Sequence, residues 1–149
     1  MVSLPNESAG RTRLLLAAAA ESALDSMFFE ALSSEPAEAP SPPPEALRAT
    51  VSYRGSRSGR LAVAVLPETA VSLSANFLGS GPDAPVEEAL AWSTLTEFTN
   101  IVCGSFLSHL DSYGAFRIDP PQRDEAPPGA GWLELPTDAG PVWVWLTEE

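Results

Sequence analysis

Two polar residues, Glu97 and Asn100, are spaced so that they could act together. In a helix, residues three positions apart lie about one turn apart on the same face. A carboxylate accepts hydrogen bonds and pairs with cations, whereas an amide both donates and accepts hydrogen bonds. This combination is too common on solvated helix faces to identify a reaction, so the elements around it have to be considered.

The pair belongs to a predicted long helix over residues 85–110, with Asp83 as a possible N-cap and Pro85 in the first turn. At about 100° per residue, one side of this helix collects apolar residues that we expect to face the core: Ala91, Leu95, Phe98, Val102 and Phe106. The opposite side carries a row that we call the polar row: Ser93, Glu97, Asn100 and Gly104.

Two members of the polar row have low helix propensity. Asparagine is unfavourable in a helix interior, and Gly104 costs about 1 kcal/mol relative to alanine. A glycine on this row removes a side chain, as if another molecule approaches closely. The alternative is a solvated face without function, on which Gly104 is only a helix irregularity, and helix geometry alone favours that alternative.

Composition narrows the possible functions. The net charge is −12 and all eight basic residues are arginine, so nucleic-acid and membrane-surface roles are not expected, while a protein partner or a cation fits the sign. Cys103 is the only cysteine and His109 the only histidine, which excludes an internal disulfide and leaves few options for a histidine-based triad or metal site. We expect Cys103 to be a buried inert thiol and His109 to interact with the helix C-terminus.

The remaining segments predict an α+β fold, in which hairpin-linked strands form an antiparallel sheet with two long helices packed on one face. We expect one domain over residues 1–149, with a Pro-rich surface loop at 34–44 that cannot be a helix or an inner strand. The other predicted helices span 11–33 and 68–78, the second closed by Gly79, and the predicted strands span 47–53, 60–66, 115–118, 131–135 and 142–146.

The N-terminal region allows a second interpretation. Arg11 and Arg13 precede a short apolar run at residues 14–20, which resembles a signal-peptide core. The run stops at Glu21 and Asp25, and apolar residues then recur at helical spacing, so we favour an amphipathic helix. We expect a cytoplasmic protein without a transmembrane segment, and a secreted protein is the alternative.

Residues 93–100 match the Asp/Ser-x3-Glu-x2-Asn pattern of the CheC/CheX/FliY chemotaxis phosphatases. Apolar residues and Gly104 follow the motif as in that family, and Pro120 and Pro121 stand near the position of a family proline, at slightly shorter spacing. The order of elements is also similar from about Leu14 to the C-terminus, with the Pro-rich segment resembling an insertion. The chain therefore resembles this family over nearly its whole length.

The first helix departs from the pattern of CheC, which carries the motif on both of its pseudo-symmetric helices. Ala17, Glu21 and Leu24 have the matching spacing here, and a leucine cannot orient water, so we expect that helix to be inactive. A single motif resembles CheX, whose family members form dimers, and the resemblance thus implies a homodimer. The aromatic residues of the last strands are expected in the core or at a dimer surface: Trp132, Trp143 and Trp145.

The resemblance implies a phosphatase that accelerates hydrolysis of the aspartyl phosphate of a CheY-like receiver. Asn100 would hold a water in line with phosphorus, and Glu97 would pair with a lysine of the receiver. Ser93, Gly104 and Pro121 would have supporting roles. The chain would need no cofactor of its own, because the receiver would bind the Mg²⁺. The alternative is a non-catalytic CheC-like scaffold or interaction module.

Overall fold

Three helices and a seven-stranded antiparallel sheet make up the part of the chain that a computed structural model describes, namely residues 5–79, 87–123 and 131–148. The helices are α1 (Pro5–Phe28), α2 (Pro67–Leu78) and α3 (Glu88–Leu110). The strands are β1 (Ala37–Ala39), β2 (Leu47–Arg54), β3 (Gly59–Val65), β4 (Arg117–Ile118), β5 (Gln122–Arg123), β6 (Trp132–Leu135) and β7 (Val142–Glu148). The predicted α+β class is confirmed. None of the described helices is long and apolar enough to cross a membrane.

The sheet has the strand order β1-β6-β7-β3-β2-β4, and β5 also pairs with β2. The hairpin of β2 and β3 pairs Leu47 with Val65 and Tyr53 with Gly59. Because side chains alternate along a strand, Val51 and Tyr53 face the helices and are 1% exposed. The central strand β3 is buried along most of its length, as expected for a strand with a neighbour on each side.

The two long helices, α1 and α3, pack against each other and against the sheet. Their contact includes Phe28 and Phe98, whose ring centroids lie 5.4 Å apart. Helix α3 contacts β2 through Phe106 and Tyr53, whose ring centroids lie 6.3 Å apart. The short helix α2 contacts both long helices. This packing covers one side of α3 completely and leaves the other side facing outward.

A second apolar cluster lies outside the main core and contains Trp132 and Trp143. Trp132 is 0% exposed and Trp143 6% exposed, so both are core residues, which is one of the two placements expected from the sequence. The Pro-rich segment takes part in this packing through Ala39. Pro42 is also buried, and its carbonyl accepts a hydrogen bond from Arg48 at 2.8 Å. That segment is therefore not a purely solvated loop.

The boundaries of several elements differ from the prediction. Helix α1 ends at Phe28 rather than at residue 33, because Phe29 adopts a left-handed conformation with φ of 56°. Leu32 instead bridges to Thr137, next to the turn between β6 and β7. The edge strand β1, inside the Pro-rich segment, and the two-residue strand β5 were not predicted.

Two predicted helix starts are also wrong, because α1 begins at Pro5 rather than at residue 11 and α3 begins at Glu88 rather than at residue 85. The C-terminal ends of α2 and α3 agree with the prediction. Gly79 ends α2 in the left-handed conformation with φ of 69°, and its backbone N–H bonds to carbonyls of the last turn. Helix α3 begins at Glu88 after Glu87 as N-cap, and it ends at Leu110 as predicted. Asp83 and Pro85, proposed as its cap and first turn, lie outside the described residues.

Candidate functional site

The polar row occupies the outward side of α3. The five predicted core residues of this helix, Ala91, Leu95, Phe98, Val102 and Phe106, are at most 4% exposed. Ser93, Glu97 and Asn100 are exposed and Gly104 is half-buried. The apolar stripe thus sets the rotation of the helix about its axis, and this rotation directs the carboxylate and the amide away from the core.

The side chains of Glu97 and Asn100 form no hydrogen bond or ion pair with any residue in the described ranges. Neighbouring hydroxyls are already engaged with the helix backbone, since Thr96 Oγ1 donates to the Ser93 carbonyl at 3.0 Å and Thr99 Oγ1 to the Leu95 carbonyl at 2.7 Å. Glu97 and Asn100 are therefore both available to bind groups of another molecule.

Packing within the described part of the chain does not require the glycine of the row. A Cβ built at Gly104 would have nothing within 4 Å. Helix α3 therefore carries the propensity cost of a glycine, about 1 kcal/mol, although no neighbour among the described residues requires it. This observation is consistent with the close approach of another molecule at this end of the row.

Strands β4 and β5 and their connection run along one flank of α3. Near the start of the helix the guanidinium of Arg123 lies 5.3 Å from the ring centroid of Trp92, and near its end Ile118 lines a pocket together with Gly104. Pro121 lies in the connection between these two contacts and is half-buried. No hydrogen bond in the described part of the chain joins Pro121 to Glu97 or Asn100, and its supporting role stays a prediction.

Arg123 is a feature of the site that the sequence did not reveal. It places an exposed positive charge near the Ser93 end of the row, in a protein with a net charge of −12. The stacking on Trp92 is a cation–π contact, which holds the guanidinium beside the helix. No motif signalled this contact, because Arg123 is brought to α3 by pairing of β5 with β2.

The two other candidate reactive groups lie off the row. Cys103 is 0% exposed, and burial raises the pKa of its thiol to about 12, so it is not a nucleophile near neutral pH. His109 Nδ1 lies 2.8 Å from the Ser105 carbonyl in the last turn of α3, as expected for a side chain that interacts with the helix end. Among the residues described, no three His, Cys, Asp or Glu side chains are grouped so that they could hold a metal ion.

Helix α1 presents no second copy of the row. Glu21 is exposed, but Ala17 is buried and Leu24 is 0% exposed in the main core. The three residues with the matching spacing therefore do not share an outward face, and the site is confined to α3 in the described structure.

Comparison with solved structures identifies similar folds. CheX from Desulfovibrio desulfuricans is 16% identical, with a TM-score of 0.71 over 93% of this chain and 99% of that one. The CheX of a CheX–CheY–BeF3–Mg²⁺ complex from Borrelia burgdorferi is 22% identical, with a TM-score of 0.70 over 92% and 97%. A CheC-like superfamily protein from Shewanella sp. PV-4 is 16% identical, with a TM-score of 0.69 over 93% and 97%.

A family model provides the evidence at the level of sequence. The model described as chemotaxis phosphatase CheX matches residues 47–126, which is more than half of the 149 residues and includes the whole polar row. No curated protein matches the sequence. The extent of the family match, together with the similar folds, shows that the chain belongs to the CheX family of chemotaxis phosphatases.

Proposed function

We propose that this protein accelerates hydrolysis of the aspartyl phosphate of a CheY-like response regulator. The observation that carries the proposal is that Glu97 and Asn100 lie on the exposed face of α3 and bond to no side chain or backbone group in the described ranges. Membership of a phosphatase family supports the activity, and the CheX of Borrelia burgdorferi, crystallised with CheY, supports a receiver domain as the partner.

The chemistry asks little of the phosphatase beyond positioning. An aspartyl phosphate is a labile acyl phosphate, and phosphoryl transfer depends mainly on in-line geometry and charge stabilisation. The amide of Asn100 can accept a hydrogen bond from a water and donate one to the phosphoryl group, which would hold the water in line with phosphorus. In this proposal the chain contributes no cofactor, and the Mg²⁺ belongs to the receiver.

Glu97 would orient the two proteins. A carboxylate and a lysine form a charge-assisted hydrogen bond, which is stronger and shorter than a neutral one. If Glu97 pairs with the receiver's lysine beside the phosphate, Asn100 lies one turn further along a rigid helix whose other side is buried. Groups on a helix packed in this way hold their geometry better than groups on a loop.

The remaining predicted residues would assist. Ser93 is exposed one turn before Glu97 and could add a contact, Gly104 would leave room for the partner, and the half-buried Pro121 would have a supporting role. We also infer a homodimer and a cytoplasmic location, which the family resemblance implies.

The test compares the lifetime of the acyl phosphate on a panel of receivers from the same genome, phosphorylated with acetyl phosphate. Asn100→Ala should abolish the acceleration while binding of the BeF3-activated receiver changes only a few-fold. Glu97→Ala should weaken both, because the residue orients the complex. Glu21→Ala, which removes an exposed carboxylate from α1, is the control and should behave as wild type. Wild-type activity in Asn100→Ala would show that the mechanism is wrong.

The alternative, a non-catalytic scaffold, makes a different prediction in the same assay. A scaffold would bind an activated receiver but leave the lifetime of its acyl phosphate unchanged at every protein concentration.

A further inference from the structure

A pocket of about 220 Å³ lies at the Gly104 end of the polar row, between the end of α3 and the segment that leads into β4. Pockets that bind small-molecule ligands usually have volumes of about 300–1,000 Å³. This one is smaller and has the dimensions of a site for a single side chain. Gly104 and Asp111 line it on the side of α3, and Phe116 and Ile118 line it on the side of β4.

Asp111 gives the pocket a negative charge. Its carboxylate accepts hydrogen bonds from Ser56 Oγ at 2.9 Å and from the backbone N–H of Tyr113 at 3.2 Å, and both donors are neutral. The ion pairs of the described residues join Arg13 to Glu38, Arg54 to Asp119 and Arg57 to Glu148, and none involves Asp111. Within the described ranges, Asp111 therefore has no cationic partner.

Two further features mark this region as a surface for another protein. Gly104 leaves open space where a side chain would project, and Tyr113, beside the pocket in sequence, is 99% exposed. Tyrosine is enriched among the residues that dominate binding at protein interfaces. Gly104 also follows Asn100 by four residues, which is about 6 Å along the helix axis. A protein that brings its phosphate to Asn100 therefore reaches this pocket as well.

We propose that the pocket receives a lysine or arginine side chain of the same receiver whose phosphate Asn100 reaches. This inference rests on the function proposed above and adds a determinant of partner choice to it. The charge of Asp111 favours a basic residue, and the overall charge of −12 favours approach of a basic surface. A receiver with an apolar residue at the facing position would leave Asp111 unpaired, and one with an acidic residue would repel it. The pocket would therefore bind such receivers more weakly.

Two substitutions test the pocket. Gly104→Leu fills it, and Asp111→Asn removes its charge while keeping its shape. Gly10→Leu and Asp138→Asn are matched controls, since Gly10 is exposed in α1 with nothing within 4 Å of a Cβ and Asp138 is exposed in the turn between β6 and β7. The measurements are the Kd for the BeF3-activated receiver, kcat and KM for dephosphorylation, and the melting temperature.

Each pocket variant should raise the Kd about tenfold or more, corresponding to about 1.4 kcal/mol, with most of the loss in KM rather than in kcat. Gly104→Leu should keep or raise the melting temperature, because leucine is the better helix former, and a merely structural role would lower it. The Kd of Asp111→Asn should depend less on salt than that of wild type.

The outcomes separate the two proposals. The pocket proposal would be wrong if both pocket variants kept the wild-type Kd, or if the controls lost as much affinity as the pocket variants. If the wild-type protein still dephosphorylated a receiver, the phosphatase proposal would stand. A wild-type protein that neither binds nor dephosphorylates any receiver of the panel would overturn both. A variant pair with raised Kd, beside controls that bind normally, supports the pocket even if hydrolysis is slow.

Discussion

The substitution Leu24→Asn has two opposite expected outcomes, one based on residue spacing and one based on the structure. The new asparagine would stand three residues after Glu21 and complete a second Glu-x2-Asn motif on α1. The motif alone therefore predicts a protein with two sites. The structure predicts unfolding instead. Leu24 is 0% exposed and belongs to the main core, whereas Glu21 is exposed, so the new amide would point inward.

The expected loss of stability can be estimated from these positions. Removing a buried leucine side chain costs about 2–5 kcal/mol. A buried amide without hydrogen-bond partners adds about 1–3 kcal/mol, which brings the total to about 3–8 kcal/mol. The free energy of unfolding of a typical domain is about 5–15 kcal/mol, so the variant should be severely destabilised or unfolded. With an m-value of about 2 kcal/mol/M, the urea midpoint should fall by about 1.5 M or more.

Urea denaturation followed by far-UV circular dichroism measures this loss, and the same helix offers a matched control. Leu14→Asn makes the identical change at a position that is 73% exposed, and it should cost no more than about 1 kcal/mol. The reasoning would be refuted if both variants had similar midpoints, or if Leu24→Asn stayed folded and dephosphorylated a receiver faster than wild type.

Three further predictions concern buried groups. Thr69→Val should raise the melting temperature by about 2–4 °C, since the buried Thr69 hydroxyl has no hydrogen-bond partner in the described structure, and a lower melting temperature would contradict this. Cys103, with its pKa raised to about 12 by burial, should not react with a thiol reagent at about pH 8 until urea unfolds the protein. Burial, and secondarily the charge of Glu148, also raises the pKa of Tyr53. Unfolded Cys and Tyr lose their protons near pH 8.5 and 10, so the folded state keeps protons that the unfolded state loses. The free energy of unfolding should thus fall as the pH rises above about 9, and urea titrations that show a constant value up to about pH 11 would disprove this.

Much of the fold was predictable because its signals are local. The alternation of Val51 and Tyr53 predicts a strand with one buried face, and the glycine at position 79 predicts the end of α2. The outward direction of Glu97 and Asn100 was predictable for the same reason, because residues opposite them on the helix are apolar and only one rotation of α3 buries those residues.

The misplaced boundaries arise from contacts that are distant in the sequence. Apolar residues continue beyond Phe28 at helical spacing, which is why a helix was expected to residue 33. In the structure Leu32 instead forms an isolated β-bridge with Thr137, and the Ser33 backbone N–H donates to the Pro136 carbonyl at 2.9 Å. Strand β5 has only two residues, so no periodicity could reveal it, and its existence depends on pairing with Ala49 and Thr50.

The same distinction explains why the candidate site was predictable only in part. The polar row lies within one helix, and helical geometry relates its members whatever the rest of the chain does. The pocket around Asp111 depends instead on the segment after α3 folding back, because Ser56 of the β2–β3 hairpin supplies a donor to the carboxylate. A Cβ at Gly114 would lie 2.6 Å from Asp111 Oδ2, so a larger residue there would displace the carboxylate. If the row supplies the chemistry and the pocket selects the receiver, the motif can be read from a sequence alone, whereas the choice of partner requires the structure.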